Sequence, residues 1–98
     1  MLRFVRSSHA EADLIEIWSY IADVNFTAAD EVADRFEQVF QKLSVHPELG
    51  RKAPELGVGY RVFVAGSYLI FYRAIGSDIE IARVLHGARE ITAEFFRD

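Results

Sequence analysis

Residues 60–85 read YRVFVA (60–65), GS (66–67), YLIFYRA (68–74), IGSD (75–78) and IEIARVL (79–85), and how this stretch is read decides the fold. Three runs rich in β-branched and aromatic residues, parted by short turns of glycine and serine, predict an antiparallel meander. With Gly66-Ser67 as a two-residue turn, Arg61, Phe63, Ile70 and Tyr72 share one face, and Val62, Val64, Leu69 and Phe71 share the other. A slip of one residue would invert both faces. Arg73 and Glu80 flank the Gly76-Ser77-Asp78 turn at matched distances, so a cross-strand ion pair is expected. Arg83 alternates with Ile79, Ile81 and Leu85, which puts it on their apolar face. A guanidinium there wants a carboxylate, a phosphate or a stacked aromatic ring.

Upstream, the period changes from two to about three and a half. Leu2 to Val5 suits a first strand, and Ser8-His9-Ala10-Glu11 has the form of a capping box. Ala10, Leu14, Ile17, Trp18, Ile21 and Val24 then recur at helical steps with acids between them, giving an amphipathic helix to about Ala22. After a break at residues 23–27, Ala29, Val32, Ala33, Phe36, Val39, Phe40 and Leu43 repeat the stripe. Pro47 stops that helix at about Val45, and so short a link makes the two helices an antiparallel hairpin. HPELGRKAPELGVG (46–59) is the one long loop, and REITAEFFRD (89–98) fits a short terminal helix packing Ile91, Phe95 or Phe96. The order is β-α-α-β-β-β-(α), an α+β fold with the hairpin laid over an antiparallel sheet.

At 98 residues, 51% of them hydrophobic, the sequence reads as a single domain over 1–98 with ample core. It has no cysteine, which removes disulfides and thiolate metal sites together. No opening run resembles a signal peptide and none approaches the ~20 apolar residues of a membrane span, so a soluble, cytoplasmic chain is expected. The net charge of -4 argues against nucleic acid as the main ligand. Yet Arg51, Arg61, Arg73, Arg83 and Arg89 crowd the second half while the acids concentrate in the first. A local basic patch is therefore possible on an acidic protein.

Few residues carry the chemistry of a site. His86, two residues past the alternating run IEIARV (79–84), should reach solvent at the strand's end, where imidazole can exchange protons near neutrality. A polar strand terminus is the plainer reading and the preferred one. For Arg83 a ligand role and a structural pair with one of the acids weigh equally. His9 and His46 have no second ligand at metal spacing, and no phosphate loop, dinucleotide fingerprint or nucleophile elbow occurs, so neither a metal nor a cofactor is expected.

Taken together, EADLIEIWSYIA (11–22), AADEVADRFEQVFQKLSVHPELGR (28–51), PELGVGYRVFVAGSYLIFYR (54–73) and IEIARVLHGAREI (79–91) resemble the ParE/RelE superfamily of toxins from bacterial type II toxin-antitoxin modules. The resemblance covers nearly the whole chain, and HPELGR, FYR and LHGARE are its most specific parts. It implies one of two activities. RelE-like and YoeB-like members cleave messenger RNA on the ribosome, and Arg61, Arg83 and His86 would be the residues carried over for that reaction. Here, however, Leu69 stands where those nucleases have an arginine, Gly87 where the YoeB type has a tyrosine, and Phe63 at a second basic position. A phosphodiester transition state needs donors aimed at developing negative charge, and these replacements remove them.

The ending LHGAREI instead looks like ParE, whose members are implied to inhibit DNA gyrase by protein contact and to be neutralised by a cognate antitoxin laid over sheet and hairpin. On that reading no residue is catalytic. Arg83, His86, Arg89, Glu90, Phe95 and Phe96 would form the contacts with target or antitoxin. The alternatives are the ribosome-dependent ribonuclease and an inactive module that still binds antitoxin.

Overall fold

The computed structural model describes residues 3–88 and 91–96. Its elements are β1 (Phe4–Arg6), α1 (Ser8–Ala22), α2 (Phe26–Val45), β2 (Arg51–Lys52), β3 (Tyr60–Ala65), β4 (Tyr68–Ile75) and β5 (Asp78–His86), with a final 3-10 turn at Ala93–Phe96. The helical hairpin and the meander stand where the two periodicities put them. Leu2, the expected start of the first strand, lies outside the described residues, and that strand runs instead to Arg6.

Both meander turns close on Gly-Ser, with Gly66 at φ 60° and Gly76 at φ 57°, and among the described residues no other residue type takes positive φ. A left-handed first turn residue followed by an ordinary second one is the type II′ pattern, whose twist matches that of the flanking strands. Asp78 is therefore part of β5 and faces Ile75. The pairing Val62 with Phe71 and Phe63 with Ile70 delivers the two faces read from the sequence. One face packs Ile70, Tyr72, Ile79, Ile81 and Val84 beneath Phe36, Phe40 and Leu43 of α2 and Ala10 of α1. On the other, Val62, Phe71 and Leu85 meet Ala53, with Phe95 and Phe96 of the terminal turn packed against them.

The sheet is mixed, in the order β1-β5-β4-β3-β2. The meander is antiparallel as expected, whereas β1 joins its open edge parallel to β5, through Phe4–Ile79 and Arg6–Ile81. The long loop contains β2, two residues that pair with β3, and 3-10 turns at Pro47–Leu49 and Pro54–Leu56. Tyr72 pins this loop. Its Oη accepts from the Gly50 N–H at 2.7 Å and donates to the Pro47 carbonyl at 2.7 Å, within the core. A Cβ on Gly50 would stand 2.6 Å from that oxygen, which is why glycine is required there. Burial pushes the Tyr72 phenol above its ordinary pKa, against the hydrogen bond from Gly50.

Three local expectations change. The N-cap of α1 is Ser7, whose Oγ accepts from the Ala10 N–H at 3.0 Å; Ser8 is the first helical residue and caps nothing. Val24 is 91% exposed at the hairpin tip, and Trp18 is only half-buried, its indole N–H donating to Asp30 at 3.0 Å. The largest change is in β5. Tyr72 faces Ile81 but Phe71 faces Arg83, so Ala82 is one extra residue, a β-bulge. Ile79 and Ile81 turn toward the helices, and beyond the bulge Arg83 and Leu85 turn to the opposite face.

Candidate functional site

The bulge lies where β1 stops pairing. Past Ile81, among the described residues, no strand lies beside the outer edge of β5, and α1 supplies the missing partners. The Ser7 Oγ donates to the Ala82 carbonyl at 2.7 Å, and Asp13 Oδ2 accepts from the Val84 N–H at 3.0 Å. Asp13 thus serves as a side-chain substitute for a neighbouring strand. A carboxylate in that place is negative and 8% exposed, and it requires a cation. Arg83 supplies it by a two-pronged bond, Nε to Oδ2 at 2.8 Å and Nη2 to Oδ1 at 2.8 Å. Its third nitrogen donates to the Phe95 carbonyl at 3.2 Å, and the Phe95 ring lies 5.3 Å from the guanidinium carbon. The bond to Asp13 raises the Arg83 pKa above an already high value, against the cost of burial. Arg83 therefore ties together β5, α1 and the terminal turn.

His86 is the last residue of β5 and is exposed. Its Nδ1 accepts from the Ala88 N–H at 3.1 Å, which leaves the proton of the neutral ring on Nε2. The ring meets Tyr68 edge-on with centroids 5.4 Å apart. Arg61, on β3, turns to the loop and donates to the Gly50 carbonyl at 2.7 Å. Arg61 faces Tyr72 and His86 faces Tyr68, so along β4 the two stand about 13 Å apart at ~3.3 Å per residue. The structure does not bring Arg61, Arg83 and His86 to one point. Arg73 makes the expected pair with Glu80 at 3.1 Å, its guanidinium 5.1 Å from the Tyr60 ring.

Phe95 and Phe96 are half-buried on their own sheet, with Phe96 4.9 Å from Tyr60 and 5.1 Å from Phe71 between ring centroids. Arg89 and Glu90 lie outside the described residues. Among the described residues, no cluster of histidine and carboxylates is placed to hold a metal ion, and no helix is long and apolar enough to cross a membrane. Asp13 was the residue the sequence offered and the helical stripe concealed. It sits three residues after Ala10 and four before Ile17, so an acid falls on the buried face of α1.

Between the helices runs a groove of about 340 Å³, walled by Leu14, Ile15, Trp18 and Val32 and rimmed by Glu11, Asp34 and Glu37. Arg6 lies at the same rim and pairs with Glu37. Ile15, at 68% exposure, is a large apolar side chain left open on the hairpin.

The family model described as ParE toxin of type II toxin-antitoxin system, parDE, matches residues 5–91. This chain belongs to the ParE toxin family. Among curated relatives of this ParE-family chain, Toxin ParE1 of Caulobacter vibrioides is 36% identical over 82% of this chain and 83% of its own length. Toxin ParE3 of the same organism is 32% identical over 96% and 95%, and Toxin ParE1 of Mycobacterium tuberculosis is 32% identical over 91% and 93%. A solved structure titled "Chromosomal ParDE TA system from P. aeruginosa" superposes with a TM-score of 0.73 at 21% identity, over 88% of this chain and 96% of that one. That likeness shows the ParE fold, with two helices on a five-stranded mixed sheet.

Proposed function

We propose that this ParE-family toxin inhibits DNA gyrase through protein contacts and is neutralised by a cognate antitoxin. The observation that carries the reading is the placement of the two arginines. Arg83 commits its donors to Asp13 and the Phe95 carbonyl, and Arg61 commits Nη1 to the loop. A ribonuclease built on Arg61, Arg83 and His86 would need them aimed together at a phosphorane, with preorganised donors around it. In their place the chain offers surfaces. The apolar hairpin groove, with its carboxylate rim, suits an amphipathic segment of an antitoxin carrying basic residues. The exposed end of β5 at His86 and the terminal element with Phe95 and Phe96 suit contact with a target. Arg89 and Glu90 belong to the same proposed contact, and no cofactor is needed for it.

The experiment is to induce the chain alone in bacteria, then together with its antitoxin, following DNA supercoiling and messenger RNA in the same cultures. The expected result is lost supercoiling and double-strand breaks with intact messengers, relieved by the antitoxin. Rapid messenger cleavage abolished by His86→Ala would overturn the reading in favour of a ribosome-dependent nuclease. Unchanged growth without antitoxin would leave a module that binds but poisons nothing.

A further inference from the structure

Where β5 ends, α1, the first residue of β4 and the last residues of β5 line a second groove, about 390 Å³ in volume. Ile17 and Ile21 of α1 line it on the apolar side, together with the rings of Tyr20, Tyr68 and His86. Two carboxylates reach it, Asp13 and Glu16, and among the described residues lining it there is no lysine or arginine. Asp13 is already matched by Arg83 in a bidentate pair. Glu16 is exposed on the outer side of α1 and makes no ion pair among the described residues. Its negative charge is felt at Arg83, but Asp13 has already neutralised that cation, so one negative charge remains at the groove mouth.

A groove lined by apolar side chains, aromatic rings and an unpaired carboxylate matches a side chain with an aliphatic stem and a cationic head. The imidazole of His86 is part of the match: its Nδ1 accepts from the Ala88 N–H, which fixes the orientation of an exposed ring on which a planar cation can stack. Tyr20, 71% exposed, brings a second large ring to the groove. A planar guanidinium satisfies both demands better than an ammonium, because it stacks on rings and bonds a carboxylate with two parallel N–H groups.

We infer that this groove seats an arginine side chain from a protein partner, its stem on Ile17 and Ile21 and its guanidinium at Glu16 between Tyr20 and His86. His86 is then a recognition wall. The inference rests on the reading that proteins bind this toxin, but it is tested without gyrase or antitoxin, so either can fail alone.

The probe is N-acetyl-arginine amide, blocked at both ends to imitate a residue within a chain, titrated into the isotope-labelled full chain and followed by NMR. Saturable shifts centred on Tyr20, Tyr68 and His86 are expected. The uncharged citrulline analogue should bind at least tenfold more weakly, and Glu16→Gln should lower arginine affinity at least fivefold. Glu16 and Tyr20 are exposed, so Glu16→Gln and Tyr20→Ala should both fold, and Tyr20→Ala should weaken the probe without moving Tm. Four results would each overturn the inference: equal binding of citrulline, shifts centred on the hairpin groove, indifference to both substitutions, or tighter binding of free arginine than of the blocked amide. The last would mean a metabolite site.

Discussion

Three positions along β5 separate Arg83 from His86, and between them the strand passes from a fully bonded interior to an exposed end. Arg83 holds Asp13 with two nitrogens and the terminal turn with a third. His86 accepts one backbone hydrogen bond, meets the Tyr68 ring edge-on and is otherwise exposed. Both are residue types that build active sites, and the sequence set them side by side. The difference lies in what the neighbouring elements need. The open edge of β5 beyond Ile81 requires an acceptor, Asp13 provides it, and a buried carboxylate obliges an arginine. No such demand reaches the strand's end, so His86 remains available for a partner.

The harshest way to break the comparison is Asp13→Ala. It leaves the Arg83 guanidinium unpaired and the Val84 N–H without an acceptor, and unfolding in urea should show a loss of about 3 kcal/mol. Tyr72→Phe comes next. It orphans the Gly50 N–H and the Pro47 carbonyl in the core, for a loss of about 2 kcal/mol by the same measurement. The Tyr72 pKa also fixes the sign of a pH effect. Because its folded value is raised above the ordinary 10.0, the neutral phenol's contribution is whole below pH 10.0 and is lost as pH climbs through the folded value. Stability of the parent chain should therefore fall more steeply above pH 10.0 than that of Tyr72→Phe. His86→Ala is the mildest, within about 0.5 kcal/mol of the parent. A large loss there would erase the distinction between the two residues.

Much of this architecture was legible because it depends on local chemistry. The stripes at three and four residues make the hairpin, alternation makes the meander, and Gly66 and Gly76 supply the left-handed φ that its turns require. What escaped depends on residues far apart in the chain. The bulge at Ala82 answers to Ser7 and Asp13, 75 and 71 positions from the β5 groups they bond. With it went the face of Arg83, since one extra residue reverses every later side chain. β2 is too short to carry a period, and nothing within β1 says which strand edge will receive it. At the candidate site, Arg61, Arg83 and His86 were all visible as residues. Their separation was visible only once Arg61 was seen on the loop carbonyls and Arg83 on Asp13.

The most direct measurement is DNA supercoiling by purified gyrase in the presence of the purified chain, with cleaved DNA scored in the same reactions. Action by protein contact predicts that supercoiling stops and cleaved complexes accumulate as the chain approaches gyrase in concentration. Gyrase turning over unchanged at saturating chain would contradict it.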